Sequence, residues 1–338
     1  ILKDEEKEEA KSNREAARLW ISGIEAISRR FSQSNLSVID LSATPFFLAS
    51  SGYAEGTLFP WTVSDFSLMD AIECGIVKLP RVPVADNFSK EMPFYRDLWK
   101  NIKNQMPKKG RGKGLKYSPE NLPTELMTAI DTLYGHYSLT FDKWETAGIV
   151  VPPCFIIVCN NTSTSKLIFD YIAGYEITDE RGDKFLKKAA CQLFSNFDDF
   201  ERPLSRPKTI LVDSKQLESG EVLDSGFREI AGSEIESFRK EILFREGSGE
   251  KVNLSDADLL REVLNTVGKV NKLGSEIRCV VSVAMLTEGW DANNVTHILG
   301  VRAFSTQLLC EQVIGRALRR LDYSLNTDSQ KFDVEYAD

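Results

Sequence analysis

The chain has 338 residues, 42% hydrophobic and 27% charged, with a formal net charge of -8. That composition suits a soluble globular protein with more than one core, two domains being the default and a third, smaller insertion possible. No apolar run approaches the ~20 residues of a membrane span, and the charged opening, with no apolar h-region after it, is not expected to act as a secretory signal.

The acidic balance neither marks nor excludes nucleic-acid binding, because local basic grooves decide contacts to phosphates. The chain opens on Ile1 rather than methionine, so it is expected to be a fragment of a longer protein. Six cysteines (Cys74, Cys154, Cys159, Cys191, Cys279, Cys310) show no CxxC spacing, and only His136 and His297 accompany them. This pattern argues against a zinc site or a disulfide framework and for a reducing, cytoplasmic location. The cysteines read as small core residues.

Residues 3–11 are a charged run that starts a solvated helix or frays. From Asn13 to Phe31 the spacing of Ala17, Trp20, Ile21, Ile24 and Ile27 predicts an amphipathic helix. Leu36 to Leu41 reads as a short buried strand, followed at once by Ser42-Ala43-Thr44-Pro45. Small hydroxyl residues after a parallel strand stand where an open α/β sheet places its ligands. Asp65 or Ser67 caps a helix over Leu68–Cys74, with Gly75 as its stop. Ile76–Val84 carries two prolines and reads as an edge strand or an interdomain crossing.

Lys103 to Leu122 is rich in Lys, Gly and Pro and predicts a flexible basic loop. Gly110-Arg-Gly-Lys-Gly114 is not a phosphate loop: no Ser or Thr follows the lysine and no apolar strand precedes it. Leu126–Leu139 looks helical. The run Cys154–Cys159 predicts a strand covered on both faces. Asn160–Ser165 then opens a helix with side chains able to cap its donors or meet a phosphate. Strands follow at Lys208–Val212, Ile277–Val283 and Val295–Val301, and helices at Glu234–Phe244 and Asp256–Val270. Strands alternating with helices predict an α/β protein with a mostly parallel sheet.

The last helical stretch, Gln307–Arg320, reads QLLCEQVIGRALRR. At about 100° per residue, Gln312, Arg316 and Arg319 fall within roughly 60° of one another. Val313, Ile314, Ala317, Leu318 and Leu321 take the opposite face. Two positive forks on a rigid helix are what a developing phosphoryl charge needs from a neighbouring domain.

In order, these words resemble motifs of superfamily 2 helicases: Ser42–Pro45 motif III, Asn160–Ser165 motif IV, Thr287–Asp291 motif V, and Gln312-x-x-Gly315-Arg316-x-x-Arg319 motif VI. Leu58–Asn87, Leu211–Val222 (LVDSKQLESGEV) and Thr287–Val295 (TEGWDANNV) look more narrowly like the restriction (Res) subunit of type III restriction-modification enzymes. The resemblance covers roughly residues 36–87 and 150–321. It implies a RecA-like fold: residues 1–85 as the tail of a first lobe, 86–148 as an insertion or linker, and 149–338 as a second lobe. It also implies ATP and Mg2+ as cofactors, with double-stranded DNA and a methyltransferase subunit as partners.

By that resemblance Arg319 is the arginine finger, Arg316 a second contact to the γ-phosphate, and Gln312 orients the attacking water or the phosphate. Gly289 and Gly315 belong to the nucleotide-binding set, with Asp291 accepting a ribose bond or engaging Arg316. Ser42 and Thr44 couple nucleotide state to DNA grip, while Thr162, Thr164 and Thr287 meet the DNA backbone. Trp290 reads as a core residue, with base stacking the alternative.

The superfamily also needs a GxxxxGK[ST] phosphate loop and an Asp-Glu box on a strand, and neither occurs here. Both precede Ser42–Pro45 in the resembling proteins, so they are expected ahead of Ile1, and this chain alone is not expected to hydrolyse ATP efficiently. Asp213-x-Lys215 carries part of a nuclease spelling without an upstream acidic partner and reads as a strand-end turn; a nuclease is expected beyond Asp338. The competing readings are a non-catalytic module binding DNA or a methyltransferase, resting on the basic loop Lys108–Lys116, and a repair or remodelling helicase without a nuclease.

Overall fold

A computed structural model describes residues 18–31, 37–42, 45–47, 52–54, 56–82, 97–107, 117–179, 181–212, 235–240, 242, 254–283, 290–303 and 307–338. The charged start at 3–11, the basic loop at 108–116 and the Asp213–Lys215 turn lie outside them. The chain forms two compact units, Ile1–Val63 and Ser64–Asp338.

In the first unit, residues 18–30 form helix α1 as the spacing predicts, with Leu19, Trp20 and Ile21 exposed. The expected strand at Leu36–Leu41 does not form: residues 37–42 are irregular, and Ile39 and Leu41 are 84% and 96% exposed. A strand needs hydrogen-bonded neighbours, and none pairs with 37–42 among the described residues. Further on, Phe46 bridges Leu58 in antiparallel fashion, and Phe47 stacks on Tyr53 with ring centroids 4.0 Å apart.

The second unit opens with helix α2 (Leu68–Glu73). Ser67 accepts from the Asp70 N–H and donates its own N–H back to the Asp70 carboxylate, a reciprocal cap. Gly75, at φ +69°, stops the helix where the sequence places its end. The strands are β1 (Leu79–Pro80), β2 (Cys154–Cys159), β3 (Tyr175–Thr178), β4 (Lys184–Lys187), β5 (Thr209–Val212), β6 (Cys279–Ser282), β7 (Val295–Val301) and β8 (Tyr336–Ala337). Four of them form a parallel sheet in the order β5-β6-β2-β7. β3 and β4 make a separate antiparallel pair.

Every residue of β2 is buried, as its unbroken apolar run predicts. Its side chains alternate between two cores: Phe155, Ile157 and Cys159 on one face, Cys154, Ile156 and Val158 on the other. The first face is covered by α3 (Leu98–Ile102), α4 (Thr124–Thr146) and α5 (Thr162–Ala173). α4 extends the helix expected at Leu126–Leu139 by two residues at its start and seven at its end, and its apolar stripe keeps Leu126, Ile130, Tyr137 and Phe141 inward. Tyr137 is fully buried, and its hydroxyl donates to the Pro153 carbonyl at 2.7 Å. The other face takes a helical segment at 235–240, α6, then α7 (Asp256–Asn265) and α8 (Gln307–Ala317). The chain is therefore mixed α/β, a parallel sheet flanked by helices. None of the described helices is long and apolar enough to cross a membrane.

Cys154, Cys159, Cys191 and Cys279 are buried and unbridged. Burial pushes the Cys154 thiol up to about 12, so it packs as an inert apolar group.

Residues 64–82, expected to close a first lobe, belong to this second unit. β1 pairs in parallel with β8, and Asp338 continues the ladder onto β7 through Ile298 and Thr296. Lys78, 1% exposed, locks this edge. Its backbone N–H donates to Leu318 O, and its ammonium donates to Asn293 O and Val295 O at 2.7 and 2.5 Å.

Burial pushes the Lys78 pKa down to about 8, outweighing the pull of Glu335. The unfolded chain then holds more protons than the folded one between about 8 and the ordinary lysine value, so this group's contribution to stability rises with pH across that window. Below pH 8 the full penalty of burying the charge is present. Relative to Lys78→Met, the wild-type chain is expected to gain up to about 3 kcal/mol between pH 7.5 and 10.5. Urea unfolding of both proteins across that range checks it; parallel profiles refute it.

Candidate functional site

The C-terminal ends of the parallel strands gather the sequence words expected to bind ligands. β2 runs into Asn160 and Asn161, and β6 into residues 284–289, which lie outside the described residues together with Thr287 and Gly289. Thr44 also lies outside them. Ser42 is described, in the first unit, as an exposed residue at the end of the irregular stretch 37–42.

At the start of α5, Asn161 is the cap. Its side chain accepts from the Thr164 N–H at 2.9 Å and donates to Pro107 O at 3.0 Å. The two hydroxyls expected to meet phosphates differ in access. Thr162 is exposed, whereas Thr164 is fully buried and its Oγ1 has no hydrogen-bond partner among the described residues. The first turn of a helix turns a side chain every 100°, so alternate residues cannot both face solvent when one flank packs on the core. Of the pair, Thr162 alone presents its hydroxyl to a ligand here.

The arginine stretch departs from a continuous helix. α8 ends at Ala317, and the chain then turns as Leu318 gives its carbonyl to Lys78. Val313, Ala317 and Leu318 are buried as the apolar face predicts. Arg319 is therefore not in register with Gln312 and Arg316 on one helical face. Instead its Nη1 donates to Trp290 O at 2.7 Å, and its Nε lies 3.1 Å from the Asp291 carboxylate. The words Thr287–Asp291 and Gln312–Arg319, which the sequence sets side by side only as motifs, thus meet at a specific pair of groups. Both partners keep access to solvent, with the Arg319 side chain 38% exposed and that of Asp291 68%.

Arg316 is half-buried near the end of α8. Gln312 lies on the same helix, and its side chain is outside the described set. Gly315 faces α2: a Cβ there would find only Leu68 Cδ1, at 4.0 Å, so packing does not require the glycine. Trp290 is 1% exposed within the second core, the cluster that also holds Val313 and Ala317, which assigns it to packing rather than stacking.

Two residues of this region carry roles the sequence did not signal. Arg320 is buried, with Nε donating to Asp322 O at 3.1 Å, Nη2 bonding Asp333 O, and the Glu335 carboxylate 3.4 Å away. It clamps the segment after α8, and Lys78 holds the start of β7. In sequence a buried cation and a solvated one are spelled alike, so neither Lys78 nor Arg320 stands out from the basic residues near it.

The fold and this pairing define an α/β protein in which Arg319, just past the end of α8, is held by residues that lead into a parallel strand. In comparison with known proteins, no family model and no curated protein matches the chain.

Proposed function

We propose that the chain is the second RecA-like lobe, with the tail of the first, of an ATP-dependent motor of helicase superfamily 2. More narrowly, we read it as part of the restriction subunit of a type III restriction-modification enzyme, moving on double-stranded DNA and working with a methyltransferase subunit. The observation that carries the reading is the Arg319 guanidinium anchored by Trp290 O and the Asp291 carboxylate. A finger that stabilises phosphoryl transfer must be pre-oriented yet open on one side, because its worth lies in not having to reorganise during the reaction. Arg319 satisfies both conditions: two contacts fix it, and more than a third of its side chain faces solvent.

ATP and Mg2+ supply the transferable phosphoryl group and its charge neutralisation. A phosphate loop and an acidic box, absent from this sequence, hold them in the proposed reading. This chain's part is to present Arg319 and Arg316 to the phosphates, with Gln312 as the orienting amide and Gly289, Asp291 and Gly315 lining the nucleotide. Ser42 and Thr44 transmit nucleotide state. Thr162 and Thr287 contact the DNA backbone, and Thr164 joins them only if the helix start rearranges. The experiment is DNA-stimulated ATP hydrolysis by the protein carrying its phosphate-loop segment, wild type against Arg319→Ala at equal folded concentration. A large loss of rate with DNA binding unchanged supports the motor. An unchanged rate leaves Arg319 a plain surface cation and removes the proposal.

A further inference from the structure

The chain has only two histidines, and although 161 positions apart they touch: His136 Nδ1 on α4 lies 2.9 Å from His297 Nε2 on β7. Asp338 completes a triangle, its Oδ2 being 3.3 Å from His136 Nδ1 and 3.9 Å from His297 Nε2. All three ligand atoms fall within 4.8 Å of one another. We propose that His136, His297 and Asp338 form a binding site for a divalent transition-metal ion of the zinc class, which joins α4, β7 and the segment after β8.

Two imidazole nitrogens and a carboxylate oxygen form a borderline donor set that suits zinc better than calcium or magnesium. The spacing suits it as well. A point equidistant from atoms separated by 2.9, 3.3 and 3.9 Å lies about 2.0 Å from each, which is the zinc–nitrogen and zinc–oxygen bond length.

The surroundings fix these donors as metal ligands are usually fixed. His297 is fully buried, and its other nitrogen, Nδ1, lies 2.9 Å from Thr296 Oγ1. A proton on Nδ1 shared with that hydroxyl leaves the Nε2 lone pair free toward the triangle. The Asp338 carboxylate is gripped by Arg81, with Nε to Oδ1 at 2.7 Å and Nη2 to Oδ2 at 2.6 Å. Its backbone is tied to β7 through Thr296 O and Ile298 N–H. His136 is the accessible member, its side chain 43% exposed. It gives an ion an entry path and leaves a fourth position to water.

The absence of closely spaced ligands in the sequence argued against zinc, and that argument holds only for sites built from one local segment. Here three distant elements supply one ligand each.

The test is titration of the chelator-stripped chain with ZnCl2, followed by calorimetry and thermal unfolding, and with Co2+, followed by visible absorption. One equivalent of zinc is expected to bind and to raise the unfolding midpoint by roughly 3–8 °C at saturation. Cobalt is expected to give the visible bands of a low-coordinate site. His136→Ala alters a partly exposed side chain and leaves His297 buried. It is expected to weaken zinc binding at least about 100-fold and to abolish the cobalt bands, with an unchanged midpoint in metal-free buffer. Thr296→Val, which removes only the hydroxyl beside His297, is expected to weaken binding by about 10-fold or more. No saturable binding up to about 100 µM zinc, or binding undiminished in His136→Ala, overturns the proposal and leaves the cluster a hydrogen-bonded clamp.

Discussion

Arg319→Ala is expected to reduce DNA-stimulated ATP hydrolysis by about 10³–10⁵-fold, the usual worth of an arginine finger. DNA affinity is expected to stay within about twofold, because a group that acts on the transferring phosphoryl contributes to the transition state rather than to grip. The geometry separates this outcome from that of a generic basic residue. Arg319 reaches a main-chain carbonyl through Nη1 and a carboxylate through Nε, a two-point hold that depends on the planar fork. Arg319→Lys keeps the charge but cannot make both contacts, so it is expected to lose most of the rate as well. Asp291→Asn keeps a hydrogen-bond acceptor and removes the charge, and is expected to fall between. If Arg319→Lys is as active as wild type, charge alone matters and the orientation argument fails.

Trp290→Ala is expected to destabilise the second unit by about 3–5 kcal/mol, the range for removing a large aromatic from a packed core. The indole is 1% exposed within the core cluster that includes Val295, Val313 and Ala317, so its loss opens a cavity in that core. Its Nε1 has no hydrogen-bond partner among the described residues. Trp290→Phe removes that unsatisfied donor along with some packing, and is expected to cost only about 1–2 kcal/mol. Because Arg319 uses the backbone carbonyl of Trp290, the phenylalanine variant is also expected to retain the Arg319 contact. Urea unfolding separates the alternatives. A base-stacking tryptophan gives an alanine variant of normal stability and weakened DNA binding, the reverse of what its burial implies.

Much of the second unit was legible from local pattern. The β2 run, the Asn161-capped helix, the β7 bounds and the Ser67–Gly75 helix follow from burial on both faces, short polar caps and glycine at positive φ, all properties of neighbouring residues. The 37–42 segment misled for the same reason: a short apolar run describes a strand's composition but not its partners. The arginine stretch was legible as chemistry and misplaced as geometry. Helical periodicity carried Arg319 onto the face of Arg316, while Leu318 O engages Lys78 and the helix stops two residues earlier.

By itself, then, the sequence determined the α/β class, the doubly covered central strand and the words whose residue types suit phosphate chemistry, because each depends on contacts within a turn or a strand. Tertiary structure alone decided that Arg319 meets Asp291, that Lys78 and Arg320 are buried cations, and that His136, His297 and Asp338 converge. Apart from the short reach of Arg320 to Asp322, Asp333 and Glu335, those pairings join residues from 28 to more than 200 positions apart. Their energies come from desolvation and fixed distance, which composition and spacing do not encode.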